Sequence, residues 1–146
     1  MIGGKIKDGR IRHIHTQNYG DIELRARHFV LATGSFFSGG MTSRFDAMQE
    51  PVFGLTMAFS QGRNTWYSPD FFDADSHPFL EFGVRSDTEL HPFDNSGARI
   101  ENLFCAGAIL SHYDPVNEGS GSGVAISTGY KAAEGIIADF GLRNAD

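Results

Sequence analysis

The run Gly119-Ser120-Gly121-Ser122-Gly123 is the feature that most limits what this chain can fold into. It stands directly before Val124–Ile137, where apolar residues recur at helical spacing. It also follows an apolar stretch, Asn102-Leu103-Phe104-Cys105-Ala106, that ends on Gly107-Ala108. An apolar strand, a glycine-rich loop and a helix in that order make the anion-binding device of α/β proteins. Glycine lets the backbone come close to a ligand, and the free N–H groups and dipole of the helix start favour negative charge or a carbonyl oxygen. By itself Gly-x-Gly-x-Gly is weak evidence. It is neither the Gly-x-Gly-x-x-Gly dinucleotide fingerprint nor a P-loop, since no Gly-Lys-Ser/Thr follows. Close helix–sheet packing with no ligand is the alternative.

A second strand ends in the same way. His28-Phe29-Val30-Leu31-Ala32 is continuously apolar after His28, as in a strand covered on both faces, and it runs into Thr33-Gly34-Ser35 and then Phe36-Phe37-Ser38-Gly39-Gly40. Upstream, Asp8-Gly9 between alternating residues signals a hairpin, with Ile6, Ile11 and Ile14 directed to one side. Asp21–Ala26 is predicted as a third strand of this meander, with Ile22 and Leu24 on one face. The middle of the chain has many aromatics and no clear period. Arg44–Gln49 is read as helical, Pro51–Leu55 as extended or a turn, and Phe71-Phe72 and Phe79–Val84 as strand pieces. The expected organisation is therefore residues 1–40 as meander and first glycine-ended strand, 41–99 as a substrate or cap region, and 100–146 as last strand, glycine loop and closing helix.

Eighteen of the 146 residues are glycine, well above the roughly 7% of average proteins. The 18 phenylalanine, tyrosine and tryptophan residues supply enough apolar surface to exclude a disordered chain. A formal charge of -6 argues against a dedicated nucleic-acid surface. One cysteine, Cys105, excludes an internal disulfide and any multi-cysteine metal centre, and its mid-strand position reads as a small buried hydrophobe in a reducing compartment. No stretch is long and apolar enough to span a membrane, so any membrane attachment runs through a partner.

Most titratable residues read as ordinary surface groups. None of the six histidines forms a metal-ligand pair within a helix or a Cys/His cluster, and no metal site is expected. His13 and His15 alternate on a strand and face the same side, but nothing else in the sequence converges on them. His112 precedes the glycine cluster, where it would serve as an acid or base if a cofactor were near, and Arg63 and Arg85 are candidates to pair a phosphate. Phe36 and Phe37 are better placed than Trp66-Tyr67 or Phe71-Phe72 to form a wall beside a cofactor.

Taken together, these elements resemble a known superfamily. Phe29–Ser35 resembles the strand end of flavoproteins with the two-dinucleotide-binding-domain fold. Phe82–Leu90 is similar to the element leading into its last strand, Ile100–Ala108 to that last strand, and Gly119–Gly123 with its helix to the closing motif. The sequences around Ala32–Gly40, Trp66-Tyr67, Phe82–Val84, Asp87-Thr88, Glu101–Phe104 and Asp114-Pro115 narrow the resemblance to the B subunit of anaerobic glycerol-3-phosphate dehydrogenase, over the C-terminal part of that longer chain.

The resemblance implies the C-terminal portion of a Rossmann-like α/β flavoprotein fold. It implies a flavin, FMN with FAD kept open, held by Ala32, Thr33, Gly34, Ser35, Gly107, Ala108, Gly119, Ser120, Gly121, Ser122, Gly123 and Val124. It also implies oxidation of sn-glycerol 3-phosphate to dihydroxyacetone phosphate, with electrons passed to membrane quinone. The implied partners are a catalytic A subunit and an iron–sulfur C subunit that anchors the complex to the cytoplasmic side of the inner membrane. Two departures stand out. Ala108 replaces the acidic residue that often follows glycine at the last strand's end, and no Gly-x-Gly-x-x-Gly is present. The chain is therefore expected to be one part of a longer flavin domain and inactive alone. Another flavoenzyme of this fold, fumarate-reductase-like or tRNA-modifying, and a cofactor-free interaction module are the alternatives.

Overall fold

The computed structural model describes residues 3–20 and 22–143. Strands β1 (Gly3–Lys7) and β2 (Arg10–His15) form the antiparallel hairpin expected around Asp8-Gly9. Asp8 and Gly9 both adopt positive φ, as the tight turn requires. Ile11 and Ile14 differ by three positions and in a regular strand would face opposite ways. A bulge opposite Lys5/Ile6 resets the alternation, so Ile11 is buried while Ile6 and Ile14 pack against the same core.

The predicted third strand shrinks to a single bridge between Ile14 and Leu24, and Ile22 is 60% exposed. Its first residue, Asp21, lies outside the described residues.

Strand β3 (Phe29–Leu31) leads to two small antiparallel ladders. The first pairs β4 (Thr42–Ser43) with β5 (Met48–Gln49), and the second pairs β6 (Met57–Ala58) with β7 (Gly83–Val84). The predicted helix over Arg44–Gln49 is thus a hairpin turn, closed by Arg44 N–H donating to Ala47 O at 2.7 Å. Met48 alone of its strand needs burial, and two-residue alternation serves that better than a helix would. Of the two readings of Pro51–Leu55, the structure shows the turn, organised by Glu50: its carboxylate accepts from the N–H groups of Val52 and Phe53, both at 2.7 Å. Phe71 and Phe72 lie in an exposed turn rather than a strand, and Pro78–Glu81 is a short 3-10 turn, leaving Gly83–Val84 as the paired strand of that stretch.

Strand β8 (Leu103–Cys105) pairs in parallel with β3, Leu31 standing opposite Cys105. Leu31, Leu103 and Cys105 are buried, but Val30 is 49% exposed, so β3 is covered on only one face among the described residues. The predicted helix is present and longer than its apolar pattern suggested: α1 spans Gly121–Arg143. Ala132 is buried and Val124, Thr128 and Ile136 are half-buried on its packed side, whereas Ile126, Tyr130 and Ile137 form an exposed apolar stripe. Gly135 allows that packing, because a Cβ there would meet the Phe104 ring at 2.9 Å. A single cluster of buried residues joins Ile11, Leu31, Trp66, Phe82, Val84, Ile100 and Leu103 across the length of the chain. No helix among the described residues is long and apolar enough to cross a membrane.

Candidate functional site

Parallel pairing of β3 and β8 brings both glycine-ended strand termini to one edge. Phe29 N–H donates to Asn102 O at 2.9 Å and Ala106 N–H to Leu31 O at 3.0 Å, so the two strands finish side by side. In open α/β sheets, ligands bind in the crevice beyond the carboxyl ends of the strands.

Beyond β3, the Thr33–Gly40 loop folds back on itself. Ser35 Oγ accepts from Phe37 N–H at 3.3 Å, and Gly40 N–H donates to Ser35 O at 3.0 Å. Gly34 has φ +86°, and a Cβ at Gly40 would collide with the Gly34 carbonyl. Gly40 is thus required by loop closure, while Gly34 is required by its own backbone angle. Thr33 Oγ1 is buried with no hydrogen-bond partner among the described residues, the kind of orphan that points to a missing ligand atom.

Beyond β8, Gly107 turns with φ +72° into a short 3-10 segment, Gly107–Ile109. Its N–H donates to Thr128 Oγ1 at 2.8 Å, which fixes α1 against the strand end. The loop before α1 is braced by two carboxylates. Asp114 accepts from Val116 N–H at 2.8 Å, Asn117 N–H at 3.0 Å and Ser76 Oγ. Burial pushes the Asp114 carboxyl up, but these hydrogen bonds more than offset it and hold the group below its usual value. Glu118 accepts from Asp114 N–H at 3.1 Å and from Ser120 Oγ at 2.8 Å.

At the start of α1, Val124 N–H donates to Ser120 O, and the N–H groups of Gly121, Ser122 and Gly123 are first-turn donors without partners inside the helix. A Cβ at Gly121 would touch only Pro115, at 3.5 Å, and one at Gly123 would meet nothing within 4 Å. These glycines leave space outside the helix rather than serving internal packing. The carboxylate of Glu118 sits beside this end, so its donors suit a neutral carbonyl oxygen better than a phosphate.

Gly107 is tied to α1 through Thr128, and Ser35 lines a small cavity with Pro115, beside which Gly121 stands, so the ends of β3 and β8 and the start of α1 are neighbours. The residues are mostly half-buried or exposed, with Gly107 buried. The open glycine donors and the orphaned Thr33 hydroxyl fit a flavin. Ala108 offers no carboxylate, so an acceptor for ribityl hydroxyls is not supplied at that position.

The remaining candidates separate. Arg85 and His112 line one cavity of about 530 Å3 together with Glu81, although they lie far apart in sequence. Arg63 belongs to a smaller apolar cavity of about 220 Å3 lined by Phe36 and Trp66. Its guanidinium carbon lies 5.0 Å from the Trp66 ring centroid and it donates to Arg44 O at 2.9 Å, a structural role. Trp66 is core, packed edge-on against Phe59 and Phe82, while Phe37 is 73% exposed beside the glycine loop. Cys105 is the buried hydrophobe expected of it, its thiol pushed upward by burial and by the Glu50 charge.

Sequence reasoning missed Asn102. It is 2% exposed, its Oδ1 accepts from Ile11 N–H at 2.8 Å, and its Nδ2 donates to Ile11 O at 3.0 Å and Arg27 O at 3.2 Å. The carboxamide ties the hairpin to β8. A polar residue opening an otherwise apolar run was its only signal.

With this geometry in place, comparison with known proteins defines the class. The family model described as an FAD binding domain matches residues 4–124, and the chain belongs to that family. Among curated proteins, the B subunit of the anaerobic glycerol-3-phosphate dehydrogenase of Aliivibrio fischeri is 56% identical over 128 residues, which cover 88% of this chain and 28% of that protein. The corresponding B subunit of Vibrio cholerae is 48% identical over 140 residues, covering 96% of this chain and 32% of that protein. The resemblance read in the sequence is borne out, and the chain spans less than a third of the length of these relatives. The flavin supported is FAD, and the expectation of FMN as the principal cofactor is not. No solved structure matches the chain.

Proposed function

We propose that the chain is the closing part of the FAD-binding domain in the B subunit of an anaerobic glycerol-3-phosphate dehydrogenase. The observation that carries this reading is the convergence of the Thr33–Ser35 loop, Gly107 and the open first turn of α1 at the carboxyl ends of two parallel strands. The identity of 56% to a protein of that name supports it.

FAD, when bound, supplies two-electron chemistry. The chain's residues bind and orient it: Gly121, Ser122 and Gly123 present N–H donors, Gly34 lets the backbone approach, and Thr33 offers its hydroxyl. Thr128 and Asn102 hold these parts in register. Residues 41–99 serve as the cap over this edge.

The reaction assigned to the complete assembly is oxidation of sn-glycerol 3-phosphate to dihydroxyacetone phosphate. Electrons then pass to quinone through a catalytic A subunit and a membrane-anchoring iron–sulfur C subunit, at the cytoplasmic side of the inner membrane. Turnover of sn-glycerol 3-phosphate with an artificial acceptor, by the assembled complex and by this chain alone, tests the reading. Activity in the complex and none in the isolated chain is expected. Activity in the chain alone contradicts the division of labour, and none in the complex contradicts the substrate.

A further inference from the structure

We propose that His13, His15 and Glu23 form a binding site for a divalent metal ion of the zinc class on the outer face of the β1–β2 hairpin. The site uses none of the residues assigned to the flavin.

Strand register assembles it. His13 and His15 are two positions apart on β2 and share a face, with ring centroids 5.0 Å apart. Ile14 lies between them and turns to the core. Ile14 bridges Leu24 through two hydrogen bonds, each 2.9 Å, in an antiparallel sense. That bridge sets Glu23 opposite His15 and on the histidine side. Each of the three residues offers one ligand atom, and those atoms all lie within 4.8 Å of one another. His13 Nδ1 stands 3.5 Å from Glu23 Oε2.

Two imidazoles and one carboxylate are the donor set of zinc sites that keep a coordination position open. Metal–ligand bonds of about 2.0–2.2 Å separate the donors on a tetrahedral ion by roughly 3.3 Å. The group therefore needs only side-chain rotation to close on an ion. Arg25 competes for the carboxylate, its guanidinium standing 2.5 Å from Glu23 Oε2. The sequence showed the two histidines, but Glu23 is recruited only by the Ile14–Leu24 bridge.

The test is titration of the full chain with Zn2+ against a chromophoric chelator, for the wild type and for His15→Ala, Glu23→Gln and Arg25→Ala. Loss of a residue that merely orients a ligand costs about 10- to 100-fold in metal affinity, so loss of a ligand must cost at least tenfold. One equivalent of tight binding is expected, weakened at least about tenfold by His15→Ala and by Glu23→Gln, and not weakened by Arg25→Ala. Glu23→Gln preserves shape at an exposed side chain, so it reads ligation rather than folding. Absence of wild-type binding, or binding that either His15→Ala or Glu23→Gln leaves intact, overturns the proposal.

Discussion

Gly107 and Thr128 are joined by one hydrogen bond, Gly107 N–H to Thr128 Oγ1 at 2.8 Å, and that bond places the turn after β8 against the second turn of α1. The same hydroxyl donates to Val124 O. Thr128→Val keeps the shape, removes the acceptor and leaves a buried N–H unpaired. It is expected to cost about 1–3 kcal/mol, read as a lowered denaturant midpoint with an unchanged slope, and Thr128→Ser should recover most of the loss.

The Thr33–Gly40 loop provides a paired test of why its glycines are there. A Cβ at Gly40 collides with the Gly34 backbone, whereas one at Gly39 meets nothing within 4 Å and suffers only from φ +82°. Gly40→Ala is expected to cost about 3 kcal/mol or more and Gly39→Ala about 1 kcal/mol. Equal thermal shifts for the two variants would contradict the account of the loop.

Asn102 makes three hydrogen bonds from a buried carboxamide. Asn102→Leu loses all three and leaves the Ile11 backbone groups unpaired. At about 1 kcal/mol per bond, a destabilisation of about 3 kcal/mol is expected in chemical denaturation. Hydrogen exchange should also quicken at Ile11 while remaining slow at Cys105.

What was legible in the sequence was what local chemistry decides. Asp8-Gly9 declared its hairpin, the glycine-ended runs declared β3 and β8, and the helical spacing of apolar residues after Gly123 declared α1. The illegible parts depend on contacts between distant segments. Arg44–Gln49 has too few residues to show a period, and Met48 is drawn into the core as one arm of a hairpin. Val30 belongs to an apolar run yet is exposed, because only a neighbouring element could cover it. Around the candidate site, the glycine-ended strands could be read locally, but the meeting of Arg85 with His112 at one cavity, and of Glu23 with the two histidines, depends on tertiary placement.

Asp114 makes stability depend on acid. Its folded-state pKa lies below the unfolded value, so its contribution is full above the unfolded value of about 3.9 and is lost as pH falls through the lower folded value. Ser76→Ala removes one of the hydrogen bonds responsible. The variant should lose stability at neutral pH and show a shallower decline on acidification, measured as melting temperature from about pH 5 to about pH 2.

The most direct test of the flavin site is the flavin content of the full-length protein, wild type against Gly121→Val. A Cβ at Gly121 touches only Pro115, at 3.5 Å, so the fold tolerates the side chain, while the approach to the first turn of α1 is blocked. The wild type is expected to release FAD on denaturation. The variant should retain its far-ultraviolet circular dichroism and lose most of its flavin. Undiminished flavin in Gly121→Val would contradict the placement of the cofactor at the start of α1.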